Sequence, residues 1–340
     1  MTTPDPSSVI DLIDAFRRSK AMFTAVRLGI FDHLERGPAG LADLARSLPA
    51  NADALERLLD ANAGLGFLQK LENGRYANTA AASTYLVRSS PNAMTGYILY
   101  SDEVLFRMWA NLADAVREGT HRWPQTFGSE GPIFDHFFRD DESKSTFLQG
   151  MHGFGLLSSP AVAAAFDLGG FTRLVDLGGA TGHLAAAICE RNRGLRAAIF
   201  DLAPVVEFAR EYVRRSAAAD RLELIAGDFF TDPLPPADLY ALGRILHDWS
   251  EPKIRTLLRK IHQALPPGGG LLIAEKLLAP DKSGPPAAHL QSLNMLICTE
   301  GKERTLAEYE SLLRAAGFSE VRGRVTGAPL DAALAIKGNG

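Results

Sequence analysis

The sequence predicts an α/β protein: a mostly parallel sheet of seven strands, closed at one edge by an antiparallel hairpin, behind a mainly helical front domain. Three observations carry this. From residue 173 onward, short apolar runs alternate with amphipathic stretches: 174–177, 197–200, 222–225, 238–242 and 271–274. Strands separated by single helices imply a parallel sheet covered on both faces. The first of these runs ends in Leu-Val-Asp-Leu-Gly-Gly-Ala-Thr-Gly, residues 174–182, and passes straight into a helical pattern. A strand that ends in glycines brings bare backbone close to a ligand at the carboxyl edge of a sheet. Ahead of residue 80 the order is helix, helix, helix, hairpin, the winged-helix pattern.

Composition narrows the class. The chain has 340 residues, of which 46% are apolar and 22% charged, which suits a soluble protein with a large core. A formal net charge of −4 leaves no overall basic footprint for nucleic acid or anionic membrane. The two cysteines, Cys189 and Cys298, form no C-x-x-C pair, so a reducing cytoplasm fits better than a disulfide framework. No apolar run approaches the roughly 20 residues that span a bilayer. Residues 1–8 read as a loose tail without the pattern of a signal peptide.

Residues 9–34 read as one long helix, with Leu12, Phe16, Phe23, Val26 and Ile30 at three- and four-residue steps. Gly37-Pro38-Ala39-Gly40 breaks it. Helices over 41–48 and 53–63 follow, and Asn73-Gly74 marks a hairpin between 67–71 and 75–77. A DNA-reading helix over 53–60 carries Asp53, Glu56 and Asp60 against Arg57 alone, so phosphates would repel it. A packing and dimerisation domain is the better reading, and the apolar first helix suggests a partner subunit. Residues 97–119 form a further helical stretch, with Trp109, Leu112 and Val116 on one face, and Trp123-Pro124 breaks it. Residues 134–157 carry a stripe of Phe134, Phe137, Phe138, Phe147, Met151 and Phe154, which is either core or the wall of an apolar pocket. In the second half, 251–265 reads as a helix with Ser250 as N-cap. The runs 320–325 and 331–335 form the closing hairpin. The expected division is a dimerisation domain over 1–95, a helical connector over 96–165, and the α/β domain over 166–340.

Chemistry-bearing residues gather at the strand ends. Gly178 and Gly179 follow the first strand. The G-G-x-x-G spacing differs from the G-x-G-x-x-G of a diphosphate site, so NAD is not the natural ligand. Asp201 ends the second strand, about 23 residues after Gly178, where an acid can meet a ribose. Asp228 and Phe229 follow the third and suit an adenine amino group and ring. The fourth strand leads into Gly243-Arg-Ile-Leu-His-Asp-Trp249, which makes His247 a candidate base. No second His or Cys stands at ligand spacing, so no catalytic metal is expected.

These motifs resemble the class I S-adenosylmethionine-dependent methyltransferases, and more narrowly the small-molecule O-methyltransferases of the acetylserotonin and caffeic-acid type. The resemblance covers nearly the whole chain. It rests on the front domain, on 111–119, on Val-Asp-Leu-Gly-Gly-Ala-Thr-Gly182, Gly-Asp-Phe-Phe230 and Leu-His-Asp-Trp249, and on Ser292-Leu-Asn-Met-Leu296 with Thr-Glu-Gly-Lys-Glu-Arg-Thr305. It implies a Rossmann-like catalytic domain, S-adenosylmethionine as cofactor and a homodimer. It also implies that Asp176, Gly178, Gly179, Asp201, Leu202, Asp228, Phe229 and Arg244 bind the cofactor. His247 becomes the general base, oriented by Glu275 and Glu303. Asp248, Asn294, Cys298, Met151 and Phe154 fall at the acceptor. Three positions depart from the acetylserotonin pattern: Ala180 replaces a glycine, Cys298 a glutamine, and Gly155 lies where a tryptophan is usual.

The expected reaction is methylation of a small aromatic hydroxyl. A histidine near 6.5 faces a phenol near 10, a gap of roughly 3.5 units or about 5 kcal/mol, which a positioned base can bridge. An aliphatic alcohol near 15.7 leaves a gap of about 9 units. Sulfur or nitrogen acceptors on the same scaffold remain open, as does a ligand-responsive regulator without catalysis.

Overall fold

Alternate residues of a strand face opposite sides, and in the second half of the chain both sides are covered. The structure is a computed structural model that describes residues 4–138 and 140–339. It holds two compact units, 1–106 and 107–340.

The second unit contains the seven-stranded sheet: β1 (Arg173–Leu177), β2 (Arg196–Asp201), β3 (Leu222–Ala226), β4 (Leu239–Gly243), β5 (Gly270–Glu275), β6 (Phe318–Arg324) and β7 (Asp331–Lys337). The strand order is β6-β7-β5-β4-β1-β2-β3. Strands β3, β2, β1, β4 and β5 pair in parallel, and β7 runs antiparallel to both β5 and β6. Each expected strand is found, most of them extended by one or two residues, while 238–242 shifts to 239–243 and 320–325 to 318–324. One face packs Val175, Leu177, Tyr240, Leu242 and Ile273 against Ile254, Leu257, Leu258 and Ile261 of the helix Glu251–Ala264. The other packs Leu174, Ile199, Ala241 and Leu272 against Leu184, Ala185 and Ile188 of the helix His183–Arg191, with Val162 and Ala163 of the helix Asp141–Ala164. The connections from β1 leave toward β2 on one side, while β4 lies on the other. That reversal opens a crevice at the carboxyl ends of β1 and β4.

The first unit has its own core, from Val26, Ile30, Phe31, Leu44, Leu55, Leu59, Leu68 and Tyr76. Its helices Leu41–Ser47 and Ala52–Gly64 precede the hairpin Leu68–Lys70 and Tyr76–Asn78, and Ala39 bridges to Tyr76.

Several local expectations are corrected. The long first helix is two, Ser7–Arg27 and Ile30–Leu34, because Gly29 takes a left-handed φ of 73° between them. The helix absorbs the end of the expected tail, whose first three residues lie outside the described ones. Leu12 and Phe16 do not join the core and are 75% and 52% exposed. Residues 97–119 are helical as expected, in the consecutive pieces Thr95–Tyr100, Ser101–Leu105, Phe106–Trp109 and Leu112–Glu118, but Val116 is exposed while Ala115 is buried. Trp123 opens a short helix, Trp123–Phe127, since proline is tolerated in a first turn. Ser250 stands at the N-cap of its helix without a side-chain cap hydrogen bond. The break between the units falls inside the segment expected as a connector. The run 95–106 belongs to the first unit because Asp102, nearly buried, is paired with Lys20 and Arg27 of the first helix.

Candidate functional site

The crevice is built from the ends of five strands. After β1, Gly178 takes a φ of 67°. A Cβ there would lie 2.5 Å from Ile245 Cδ1 and 3.3 Å from Phe229 Cε1, so a side chain would have to push Ile245 aside on a backbone whose left-handed φ already favours glycine. Ala180 shares the left-handed geometry at φ 48°, which costs an alanine about 1 kcal/mol. Asp201, at the end of β2, accepts from the Ala180 amide at 2.8 Å through Oδ2 and from the Leu202 amide at 2.7 Å through Oδ1. The glycine turn and the second strand are thereby locked together. Asp176 lies buried beneath the turn, accepts from the Ala185 amide, and is pushed up to about 7 by burial. It supports the loop from below.

The loop after β3 is held as firmly. The Phe230 amide donates to Asp228 Oδ1 at 2.8 Å, and the Asp228 amide donates to Asp232 Oδ2 at 2.9 Å. The Lys260 ammonium donates to three carbonyls of this loop, those of Phe229 at 2.8 Å, Phe230 at 3.1 Å and Asp232 at 2.5 Å. Lys260 carries no motif, and only its three-dimensional neighbours reveal it.

The turn that carries His247 is set by β4 and β5. Glu275, the last residue of β5, is buried and points its Oε1 at three successive amides: Ile245 at 3.1 Å, Leu246 at 2.9 Å and His247 at 3.4 Å. It pins the turn that carries His247. Glu303 Oε1 lies 2.6 Å from His247 Nδ1, and Glu275 Oε2 lies 3.1 Å away. His247 Nε2 faces the other way, 3.7 Å from Asp248 Oδ1. Burial pushes Glu303 up to about 8 and Glu275 to about 7, against the pull of Arg244, Arg304 and Lys276 on the first and of His247 on the second. Asp248 is raised to about 6 by burial, opposed by His247 and Arg244. The ligand-type atoms of His247, Glu275 and Glu303, all buried, lie within 4.8 Å of one another, close enough for a cation as well as for orienting an imidazole. The spacing along the chain did not reveal this convergence. Gly301 backs the same turn: a Cβ on it would lie 2.0 Å from the His247 carbonyl oxygen.

Arg244 has a left-handed φ of 58°, and its guanidinium stacks 4.3 Å from the Phe154 ring centre. Its Nη1 is buried without a hydrogen-bond partner, and such a cation is a ready seat for a carboxylate. The glycine cradle, the Asp201 carboxylate, the Asp228 loop and this unpaired guanidinium together fit an amino-acid-bearing nucleoside such as S-adenosylmethionine.

The acceptor candidates divide. Cys298 is buried at the end of the helix Pro286–Cys298 and is raised above the usual thiol range by burial, with Asp248 adding to it. Asn294 Oδ1 accepts from Trp109 Nε1 at 2.9 Å. The Cys298 carbonyl accepts from Trp123 Nε1 at 2.8 Å. Two indoles thus brace this helix. In the aromatic stripe Phe137 is core, whereas Phe134, Phe138, Phe147, Met151 and Phe154 are half-buried. The Phe134 ring lies 5.5 Å from that of Trp249, two residues after His247, tilted by 37°. The place of the usual tryptophan is taken differently: a Cβ on Gly155 would lie 2.4 Å from the His183 ring. His183 bonds Ser159 at 2.9 Å and His152 bonds Thr181 at 2.8 Å, tying the helix Asp141–Ala164 to the glycine turn. Burial drives both imidazoles well below the usual range, to about 3 and about 4, so they are neutral at pH 7.

A family model for the O-methyltransferase domain matches residues 109–319, and one for the O-methyltransferase dimerisation domain matches residues 10–88. The chain belongs to the S-adenosylmethionine-dependent small-molecule O-methyltransferases, as the sequence motifs implied. Among individual relatives, it is 41% identical to acetylserotonin O-methyltransferase of Bos taurus over 331 residues, 95% of each chain. It is 39% identical over 337 residues to a human protein described as a probable bifunctional dTTP/UTP pyrophosphatase/methyltransferase. That match covers 98% of this chain but only 54%, about half, of the human one. The crystal structure of human N-acetylserotonin methyltransferase in complex with SAM superposes with a TM-score of 0.93 at 37% identity, covering 99% of both chains. Among the described residues no helix is long and apolar enough to cross a membrane.

Proposed function

We propose that the chain methylates the hydroxyl of a small phenol-like acceptor, with His247 as general base. The observation that carries this is the His247 imidazole, gripped at Nδ1 by Glu303 at 2.6 Å and open at Nε2 toward Asp248, on the same sheet edge as the glycine cradle. When bound, S-adenosylmethionine supplies an electrophilic methyl group. Gly178 and Gly179 pass its amino-acid end, Arg244 holds the carboxylate, Asp201 beside Leu202 takes the ribose, and Asp228 with Phe229 takes the adenine. Asp176 holds the turn in shape.

The hydroxyl proton would pass to His247 Nε2 as the acceptor oxygen takes the methyl group, whose bond to sulfur breaks to leave S-adenosylhomocysteine. Glu303 stabilises the imidazolium through Nδ1, and Glu275 fixes the turn beneath it. Holding the oxygen in line does most of the remaining work. Met151 and Phe154 wall the acceptor, and Asp248, Asn294 and Cys298 meet its polar edge. Cys298 offers little hydrogen bonding, so N-acetylserotonin, named in the relatives, is expected to be a poor acceptor. The exposed Ile10, Leu12, Ile13 and Phe16 of the first helix, within the segment that matches the dimerisation family, form the homodimer surface, with Val9 just ahead of it.

Mass spectrometry with S-adenosylmethionine and a panel of phenols, thiols and amines tests the reading. Methylated phenols support it, and products confined to thiols or amines overturn the hydroxyl assignment. Light scattering that shows a monomer at micromolar concentration removes the dimer.

A further inference from the structure

We propose that His247, Glu275 and Glu303 form a binding site for a divalent transition ion of the zinc type, and that an ion held there shuts the enzyme off from the Nδ1 side of the imidazole. The loss of activity rests on the reading of His247 as the base, whereas the ion site stands on its own geometry.

The Nδ1 side of the pocket holds more acceptors than donors. A neutral imidazole offers at most one N–H there. Glu303 Oε1 faces it at 2.6 Å and Glu275 Oε2 at 3.1 Å. One proton cannot serve both carboxylates, and Glu275 Oε2 and Glu303 Oε2 are buried without a hydrogen-bond partner. Two nearby cations are engaged elsewhere. Lys276 pairs with Asp331 at 3.1 Å, and Arg304 Nη1 donates to the carbonyls of Lys302 at 3.0 Å and Leu246 at 3.4 Å. Buried acceptors left unpaired cost stability, and native proteins keep few of them.

One ligand-type atom from each of the three residues lies within 4.8 Å of the other two. A tetrahedral ion with bonds of about 2.0–2.2 Å holds its ligands roughly 3.3–3.5 Å apart, so the side chains need to move by less than about 1 Å. Two carboxylates and a neutral imidazole balance the charge of a divalent ion. One nitrogen among two oxygens suits zinc better than magnesium or calcium, which take oxygen throughout. Glu275 is already fixed for the task, because its Oε1 accepts from the amides of Ile245, Leu246 and His247.

An ion on Nδ1 takes the place of the proton there. That proton moves to Nε2, and any proton on the two carboxyls leaves to solvent. Nε2 then donates toward the acceptor and can no longer take its proton. The glycine cradle lies outside the change. None of the three residues is more than 2% exposed, so loading is expected to be slow.

The test uses the whole protein at about pH 8 with cobalt(II), whose visible absorption reports its ligands, and zinc as the displacing ion. One slowly loaded ion per chain is expected. Even an outer partner of a metal ligand is worth about 10–100-fold in affinity, so Glu275→Gln and Glu303→Gln should each weaken binding by about 100-fold or more. Retained S-adenosylhomocysteine binding shows that a variant is folded, and Glu303→Gln decides alone if Glu275→Gln is not. Cys298→Ser should keep the ion. Equal binding in wild type and the Gln variants, or loss in Cys298→Ser, overturns the proposal. With any phenol that the enzyme methylates, zinc should remove turnover as slowly as cobalt loads, and a chelator should restore it. Bound zinc with turnover undiminished upholds the ion site and overturns His247 as the base. If no phenol is methylated the phenol reading fails, and the binding measurements alone decide the site.

Discussion

The cofactor side and the acceptor side of the crevice are held together by different means. On the cofactor side the ties are short and run to backbone: Asp201 to the Ala180 and Leu202 amides, Glu275 to three amides of the β4 turn, and Lys260 to three carbonyls of the β3 loop. Around the acceptor candidates the side-chain ties run between distant segments, Trp109 to Asn294 and Phe134 against Trp249, with one bond from Trp123 to the Cys298 carbonyl. Backbone ties survive substitution of most neighbours, whereas side-chain ties change with single residues. A scaffold arranged this way keeps one cofactor and can vary its acceptor.

The strongest way to break that contrast is to remove one group from each side. His247→Ala is expected to lower kcat by 10²–10⁴, the usual contribution of a general base, while S-adenosylhomocysteine still binds. Asp201→Ala should do the reverse and weaken S-adenosylhomocysteine in calorimetry. If His247→Ala stays within about tenfold of wild type, the base is elsewhere. Next in size is Gly301→Ala. Its methyl must displace the His247 carbonyl, 2.0 Å away, and a misplacement of about 1 Å can cost up to about 10²-fold in rate. A lowered Tm and kcat with unchanged cofactor affinity is the expected pattern.

What the sequence made legible follows the same division. The short apolar runs that lead into Gly178, Asp201, Asp228 and Arg244 were readable because each strand and the candidate residue at its end are adjacent in the chain. Helix limits were less readable: a continuous apolar pattern concealed the break at Gly29, where a left-handed φ overrides periodicity. His247 and Glu303, 56 residues apart, were joined only through the family resemblance. The Trp109–Asn294 contact spans 185 residues and has no periodic signature. Lys260 looks like an ordinary surface residue of an amphipathic helix until its partners are seen.

Protonation sharpens the comparison, because the acidic groups beneath the base are raised. Glu275 and Glu303 are neutral below about 7 and about 8 respectively and cannot then stabilise the imidazolium. The rate should therefore rise with pH through that range, and Glu303→Gln should lower it and flatten the profile. Stability of the unliganded protein moves the other way. The folded value of Glu303, about 8, exceeds the unfolded value of about 4.3. Its contribution is therefore full below about pH 4.3 and lost as pH rises through 8. Between pH 5 and 9 the wild-type Tm should fall relative to Glu303→Gln, although the variant is the poorer enzyme. A wild-type profile flat from pH 6 to 9 would show that Glu303 is ionised throughout.

The smallest effect is expected at Lys260, and it separates a loop that is merely stable from one that is shaped for the cofactor. The lysine spends all three of its N–H bonds on the carbonyls of Phe229, Phe230 and Asp232. Methionine keeps the length and apolar stem but donates nothing, so three carbonyls turn to water and the Asp228–Asp232 turn loosens. Phe229 packs within 3.3 Å of where a side chain on Gly178 would begin, so its drift opens the cradle at the adenine end while the base lies outside the change. Lys260→Met should raise KM for S-adenosylmethionine about five- to tenfold, with kcat at saturating cofactor within about twofold. Lys260→Arg, which can still donate, should recover much of the affinity. A variant with lower Tm but unchanged KM assigns the lysine to stability alone. One that lost kcat and kept KM would mean that this loop serves the acceptor side.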